Sequence, residues 1–215
     1  MKADSLNFEL DKANVSEALK KVGVESNEQQ LNKLEQLIQL LMKWNKVYNL
    51  TAIRDPKKMV IHHLLDSLAI LPYLDGKSVL DVGSGAGIPG IPLAIFRSDI
   101  EFTLLDSNRK KTRFIAQAAI ELGLKNVSVE TARVEVCQFP TSFDVIVTRA
   151  FASVDKILSL TAKHCAEEGE LLLMKGLIPE QELADLSEGF SVKEIVSLDV
   201  PELDAERHLV ILSRR

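Results

Sequence analysis

A run of glycines constrains this chain more than any other feature of its sequence. The segment DVGSGAGIPG, residues 81–90, starts at the end of an apolar run (78–82) and leads into a helix-like stretch (88–96). Glycine permits backbone conformations that other residues avoid and lets a ligand approach the main chain, while the first N–H groups of a helix lack partners within it. A strand, a glycine loop and a helix in this order predict a ligand site at the carboxyl end of the first strand.

The rest of the chain downstream of the loop alternates between two patterns. Short apolar runs at 101–105, 127–131, 143–148 and 170–174 are separated in part by helix-like stretches at 110–122, 154–165 and 179–188. This alternation predicts an α/β fold with a mostly parallel sheet covered on both faces. Two final runs, 190–198 and 207–213, have no helix between them and predict an antiparallel hairpin at the sheet's edge.

The first 75 residues have a helical pattern. Apolar residues recur every three or four positions between Leu31 and Met42, and Asp55-Pro56 is a typical helix start. We therefore expect an N-terminal helical extension at 1–75, packed on a ligand-binding domain at 76–215.

Composition excludes several classes of protein. The 215 residues are 46% hydrophobic and 27% charged, which is ordinary for a globular chain. No apolar run approaches the roughly 18 residues of a membrane span, and the acidic start lacks a signal-peptide pattern. Cys137 and Cys165 are isolated, so no metal site is expected. These features predict a cytoplasmic protein without a membrane partner.

The net charge of −5 is unevenly distributed. Residues 164–206 carry twelve acidic and two basic side chains, so the remainder is basic, with lysine pairs at Lys57-Lys58 and Lys110-Lys111. A basic face can attract a polyanion even on an acidic protein. Lysines that merely solvate helix surfaces are the alternative, which the count alone favours.

The glycine loop fits two known patterns. GAGIPG (85–90) is a formal G-x-G-x-x-G, and Asp106 follows about 20 residues later, as in dinucleotide-binding folds. The same segment fits the D-x-G-x-G-x-G loop of S-adenosylmethionine (AdoMet) methyltransferases. Asp81, the helical first part and the final hairpin favour the second pattern, because a carboxylate at the strand end suits the cofactor's ammonium group better than a pyrophosphate.

Five segments closely resemble the RsmG/GidB family of bacterial 16S rRNA methyltransferases. They are WNKVYNLTAIRD (44–55), HHLLDSLAILPYL (62–74), DVGSGAGIPGIPLAI (81–95), FTLLDSNRKKTRFI (102–115) and TRAFAS (148–153). The resemblance implies a class I AdoMet-dependent methyltransferase fold and transfer of a methyl group to N7 of a guanine, position 527 in the 530 loop of 16S rRNA. The partner would be that RNA in a small ribosomal subunit or its precursor. We expect a monomer.

The resemblance also assigns the cofactor site. Asp81 would meet the ammonium group, and Asp106 would accept both ribose hydroxyls. Gly83, Gly85, Gly87 and Ile88 would form the loop around the cofactor. Val134 and Glu135 would form the adenine site.

Arg149, at the end of the fourth predicted strand, would lie next to the donor methyl group. It could hold the cofactor carboxylate, an RNA phosphate or the guanine edge, and these alternatives stay open. Phe151 could stack on a base and Lys175 could bind a phosphate. Lys57, Lys58, Lys110 and Lys111 are the remaining candidates for RNA contacts.

A second group of polar residues is expected to be structural or to close the pocket. His62 and Asp66 are four positions apart on a predicted helix and could form a hydrogen bond. His63 would point to another face, so the two histidines are a poor metal pair.

The sequence predicts no catalytic base. Thr148-Arg149-Ala150-Phe151 stands where enzymes that methylate exocyclic amines typically carry an Asn/Asp-Pro-Pro-aromatic string. Guanine N7 presents a free lone pair, so no proton must leave before attack, and the rate would come from in-line alignment. An NAD-dependent oxidoreductase and a non-catalytic ribosome-assembly factor with an AdoMet fold are the alternatives.

Overall fold

A seven-stranded sheet forms the centre of the protein, for which a computed structural model describes residues 8–186 and 189–215. Its strands are β1 (Ser78–Val82), β2 (Glu101–Leu105), β3 (Val127–Glu130), β4 (Phe143–Arg149), β5 (Cys165–Lys175), β6 (Phe190–Ser197) and β7 (His208–Arg214). The spatial order is β3-β2-β1-β4-β5-β7-β6. All neighbours are parallel except β7, which is antiparallel to β5 and β6. The predicted parallel sheet with a C-terminal antiparallel hairpin is confirmed.

Helices flank this sheet. The first part of the chain forms α1 (Lys12–Lys21), α2 (Glu28–Tyr48), α3 (Pro56–Met59), a π-helix (Val60–Leu65), α4 (Asp66–Leu68) and a 3-10 turn (Leu71–Tyr73). The second part forms α5 (Gly90–Phe96), α6 (Arg109–Glu121), α7 (Val154–Thr161) and α8 (Glu180–Ala184), with 3-10 turns at Val134–Val136 and Ala162–His164. None of the helices in these described ranges is long and apolar enough to cross a membrane.

Local sequence signals explain where several helices start. Asn27 and Gln30 form a reciprocal capping box at the start of α2. The Asp55 side chain accepts a hydrogen bond from the Lys57 amide, and Pro56 occupies the first position of α3, as predicted.

One hydrophobic cluster joins the N-terminal helices to the sheet. It includes side chains from α1 and α2 together with others from β1, α5 and β2. Trp44 of α2 meets Phe114 of α6 edge-on, with ring centroids 5.7 Å apart. The N-terminal helices are therefore packed on the sheet. A domain division at residue 75 stays a prediction, because the cluster runs across it.

Three helix boundaries differ from the predictions by two residues or more. Helix α5 begins at Gly90, not at residue 88, because residues 85–89 are turns of the glycine loop. Helix α7 ends at Thr161, and β5 starts at Cys165, where helix was expected. Helix α8 covers only Glu180–Ala184, and the expected helix at 179–188 ends beyond the described residues.

The strand directions bring chemically active residues to one edge of the sheet. The parallel strands β1 to β5 end there, and β7 starts there because Lys175 at the end of β5 pairs with His208 at the start of β7. The segments that follow β1, β2, β4 and β5 and the segment that precedes β7 therefore meet along this edge.

Candidate active site

The glycine loop is tied to the end of β2. The amides of Gly83 and Ser84 both donate to the Leu105 carbonyl, at 2.9 and 3.0 Å. Gly83 and Gly85 have φ angles of +72° and +61°, which only glycine adopts without strain. A Cβ at Gly83 would lie 2.6 Å from the Phe151 ring, so the ring packs directly on the loop. Nothing lies closer than 3.9 Å to a Cβ at Gly85, which opens onto a cleft.

The later loop residues serve packing. A Cβ at Gly90 would lie 2.7 Å from the Asp81 carboxylate and 2.8 Å from Leu104, and one at Gly87 would overlap Ile91. Gly90 therefore allows α5 to approach β1 and β2 closely, and Gly87 leaves room for the Ile91 side chain. Ile88 is buried and also lines the cleft.

Asp81 lies beneath the loop. Its Oδ2 accepts hydrogen bonds from the Ser84 hydroxyl at 2.7 Å and the Gly90 amide at 3.0 Å. Burial raises the pKa of Asp81 from 3.8 to about 6. Asp81 lines neither of the cavities described below. The carboxylate thus anchors the loop in this structure, and its predicted contact with a cofactor ammonium group stays a prediction.

Asp106 connects the loop to α6. One carboxylate oxygen accepts from the Gly85 amide at 2.9 Å and the other from the Asn108 amide at 2.8 Å. The Lys111 ammonium lies 3.9 Å away. Each carboxylate oxygen has a second acceptor site. The predicted bonds from two ribose hydroxyls are therefore compatible with this geometry.

Two adjoining cavities form the cleft over the loop. The larger is about 520 Å³ and the smaller about 400 Å³, and Gly83, Lys111 and Ala150 line both. The smaller one brings together Asp106, Val134 and Glu135, three of the predicted cofactor residues. The larger one gathers His63, Asp66, Gly85, Ile88, Arg149, Lys175 and Arg207.

A buried carboxylate joins two arginines in the larger cavity. Asp66 Oδ2 lies 3.2 Å from Arg149 Nη1, and its Oδ1 accepts from Arg207 Nε at 2.9 Å. Arg149 Nη1 also donates to the His62 carbonyl at 2.9 Å. The expected side-chain bond between His62 and Asp66 is not formed, because Asp66 is held by the arginines.

A π-helix replaces the expected α-helix at Val60–Leu65, and the Asp66 amide donates to the Ile61 carbonyl five residues back. This wider turn changes the faces that His62 and His63 present. His63 is buried, and its Nε2 lies 3.0 Å from the Thr51 hydroxyl. Burial, with the charge of Arg149, lowers the pKa of His63 from 6.5 to about 4.

The predicted RNA-contacting residues lie in different places. Lys175 lines the larger cavity, and its ammonium donates to the Ala152 carbonyl at 3.0 Å. Phe151 is 37% exposed and lines the smaller cavity. Lys111 belongs to the cleft wall. Three others, Lys57, Lys58 and Lys110, are exposed.

Two cleft residues escaped the sequence analysis. Arg207 pairs with Asp66 across 141 positions of sequence, so no local pattern signals it. Ala150 has a φ of +50° and lines both cavities. Non-glycine residues held in this region store strain and tend to cluster at functional sites.

The chemistry of the cleft fits AdoMet. Carboxylates at one end (Asp106 and Glu135) suit hydroxyl and amino groups, while Lys111 and Arg149 can receive a carboxylate. The open space at Gly85 lets a ligand approach the backbone. Among the described residues, no cluster of three His, Cys, Asp or Glu side chains could hold a metal ion.

Solved methyltransferase structures share this fold. A SAM-dependent methyltransferase from Aquifex aeolicus matches with a TM-score of 0.56 and 20% identity, covering 80% of this chain and 97% of the other. The O-methyltransferase NcsB1 of neocarzinostatin biosynthesis, in complex with S-adenosylmethionine, matches with a TM-score of 0.58 and 19% identity, covering 74% and 56%. This chain therefore has the fold of these AdoMet-dependent methyltransferases.

The family is shown by sequence. The model of the GidB family, described as rRNA small subunit methyltransferase G, matches residues 30–210. Relatives named ribosomal RNA small subunit methyltransferase G include one from Neisseria gonorrhoeae, 50% identical over 90% of this chain and 94% of its own length. Another, from Nitrosococcus oceani, is 51% identical over 90% and 91%. This chain belongs to the rRNA small subunit methyltransferase G family, which confirms the predicted membership, the enzyme class and AdoMet as the cofactor.

Substituting Gly85 should block the cofactor site. Gly85→Val places a branched side chain in the space where the backbone is open to the cleft, and we expect AdoMet binding to be lost in calorimetry. Gly123→Val is the matched control, because Gly123 has nearly the same φ, +62°, with nothing within 4 Å of its Cβ. Both variants carry a backbone strain of about 1–3 kcal/mol. Near-normal affinity in a folded Gly85→Val protein would contradict this placement of the loop.

The buried His63 should make stability depend on pH. Its folded pKa is about 4 against 6.5 for the free side chain, so the unfolded chain binds an extra proton between these values. Stability is therefore lost as the pH falls from 6.5 toward 4, by up to about 3 kcal/mol from this group. Asp81, whose folded pKa is raised, acts in the opposite direction in nearly the same window.

The difference between wild type and His63→Gln isolates this contribution. We expect chemical denaturation to show His63→Gln gaining stability relative to wild type on acidification from pH 7 to 4. A difference that stays constant across this range would disprove the assignment.

Proposed function

We propose that this enzyme transfers the methyl group of AdoMet to N7 of a guanine in 16S rRNA, at position 527 in the 530 loop. One observation carries the proposal for this chain: the cavity that holds Asp106, Val134 and Glu135 adjoins a second cavity whose lining includes four basic side chains, those of Lys111, Arg149, Lys175 and Arg207. A polyanionic acceptor beside a cofactor is what this arrangement suits. Membership of the rRNA small subunit methyltransferase family supports the same acceptor.

Different residues hold different parts of the cofactor. Asp106 holds the ribose hydroxyls, and Val134 and Glu135 hold the adenine through a backbone N–H and a carboxylate. Gly83 and Gly85 have no side chains, so the loop leaves space for the methionine moiety. When bound, AdoMet supplies an electrophilic methyl group on a positively charged sulfur.

The acceptor needs alignment and no proton transfer. Guanine N7 has an in-plane lone pair, so methylation leaves no proton to be removed at that atom. His63 contacts Thr51, and Asp66 is ion-paired with two arginines. The residues of the cleft therefore act by fixing the base in line with the methyl group, which is a large source of rate. Phe151, partly exposed beside the loop, offers a face for stacking on the base.

The finer features of the partner belong to the same proposal. The enzyme acts as a monomer on 16S rRNA within a small ribosomal subunit or its precursor, and therefore in the cytoplasm. Lys57, Lys58 and Lys110 contact RNA phosphates outside the cleft, whereas Lys111 and Lys175 act within it.

Mapping of methylated guanines tests the function directly. We expect purified enzyme, labelled AdoMet and small subunits from a strain lacking the gene to give one N7-methylguanine, in the 530 loop. Subunits from the parent strain serve as the control and should accept no label there. Tight AdoMet and subunit binding without methyl transfer would instead favour the non-catalytic assembly factor.

Salt dependence tests the outer lysines. Replacing Lys57 and Lys58 together by alanine should reduce RNA affinity and lower the log–log salt slope by nearly one unit per lost phosphate contact. AdoMet affinity should not change. The exposed pair Lys20 and Lys21, at the end of α1, is the matched control. Equal slopes in both double variants would mean that Lys57 and Lys58 only solvate the surface.

A further inference from the structure

The strand order divides the cleft into two halves. The predicted adenine, ribose and methionine contacts follow β3, β2 and β1, which are neighbours in the sheet. The next three strands are β4, β5 and β7, and each has a basic residue at the same edge: Arg149 and Lys175 end β4 and β5, and Arg207 directly precedes β7. The basic residues thus lie on the side away from the adenine and ribose contacts, where the acceptor must enter.

Asp66 organises this acceptor half. Its side chain is only 2% exposed, whereas those of Arg149 and Arg207 are 26% and 24% exposed. Each oxygen holds one arginine, at 3.2 and 2.9 Å, although the partners are 83 and 141 positions away in sequence. A buried carboxylate between two half-exposed guanidinium groups fixes their spacing and directs their remaining donors.

Both arginines line the larger cavity and keep donors that the protein does not use. Arg149 uses Nη1 for its contacts with His62 and Asp66, and Arg207 uses Nε and Nη1 for Asp66 and the Glu206 carbonyl. Within the described part of the chain, Nη2 of each arginine has no partner. Two guanidinium groups at a fixed spacing suit a phosphate, which accepts several N–H bonds at once. The edge of the target base suits them less, because methylation at N7 makes that base cationic.

We propose that Asp66 is a positioning residue for the RNA substrate: it fixes Arg149 and Arg207 so that they hold a phosphate flanking the target guanine. The inference rests on the proposed function, since it takes RNA as the acceptor. It resolves the alternatives for Arg149 in favour of RNA and assigns a role to Arg207.

The substitution Asp66→Asn should change RNA affinity and turnover in opposite directions. Removing a negative charge from between two arginines makes the cleft more positive, which by itself tightens the binding of a polyanion. Loss of positioning lets the guanidinium groups move, so the base is no longer held in line with the methyl group. The variant should therefore bind RNA at least as tightly as wild type while its turnover falls.

The experiment measures three quantities for the full chain. We expect Asp66→Asn to lower kcat, at saturating AdoMet and subunits, by about tenfold to a hundredfold, the usual cost of a small misplacement of reacting groups. The AdoMet dissociation constant, measured by calorimetry, should stay within about twofold of the wild-type value, because Asp66 does not contact the cofactor in this proposal. The equilibrium affinity for subunits should not weaken.

Asp144→Asn is the control for a purely structural carboxylate. Asp144 accepts from the amides of Lys77 and Ser78 at the opposite edge of the sheet. It should lower the melting temperature without changing kcat, measured well below the melting temperature of every variant.

A second substitution keeps the test decisive, because unpairing buried charges can prevent folding. Asp66→Glu retains the charge and both acceptors but displaces them by one methylene, so it should also lower kcat with AdoMet affinity unchanged. The inference is overturned if a folded Asp66 variant turns over like wild type, if AdoMet affinity falls with kcat, or if subunit binding weakens. Wild-type enzyme that leaves the RNA unmethylated would overturn the proposed function itself.

Discussion

The parallel pairing of β1 with β2 is the constraint on which the cleft depends. It sets Val82 beside Leu105, and the Leu105 carbonyl then receives two amides of the glycine loop. One residue further, the Asp106 carboxylate receives the Gly85 amide. A slip of this register would reverse the faces of the strand residues and separate the loop from the carboxylate. The pairing of β1 with β2 therefore determines where the glycine loop and the Asp106 carboxylate lie in the cleft.

The N-terminal helices complete the site as well as covering the sheet. Their apolar side chains share a hydrophobic cluster with one face of the sheet. The helical residues His63 and Asp66, and Thr51 from the loop between α2 and α3, form part of the cleft wall. The burial that stabilises the fold thus also brings these polar groups to the cleft. Asp66 joins the three regions of the chain that contribute the acceptor half.

Local patterns in the sequence were enough to predict the fold and the glycine loop, whereas Val134 and Glu135 were assigned to the cofactor site only through the family resemblance. Strand and helix periodicities identified the strands, and the glycine spacing located the loop, because these signals lie within a few consecutive residues. The acceptor half was harder to predict. Arg207 stands in a segment that carries no motif, and its contact with Asp66 depends on tertiary packing. Likewise, the i,i+4 spacing of His62 and Asp66 suggested a contact that is not formed, because the segment is a π-helix and Asp66 is held by two distant arginines. Asp81 was recognised as part of the loop, but its burial could not be deduced from a motif.

The π-helix at Val60–Leu65 has a consequence for how this segment can vary. A π-turn contains one more residue than an α-turn, and one residue corresponds to about 100° of rotation around a helix. Deleting a single residue here would restore a regular α-helix. It would also rotate Asp66 relative to the residues that precede the π-helix, so either those residues or Asp66 would leave their present positions. The length of this segment, and not only its composition, is therefore under constraint. In an alignment of such chains, a gap at these positions would mark a change in the architecture of the cleft.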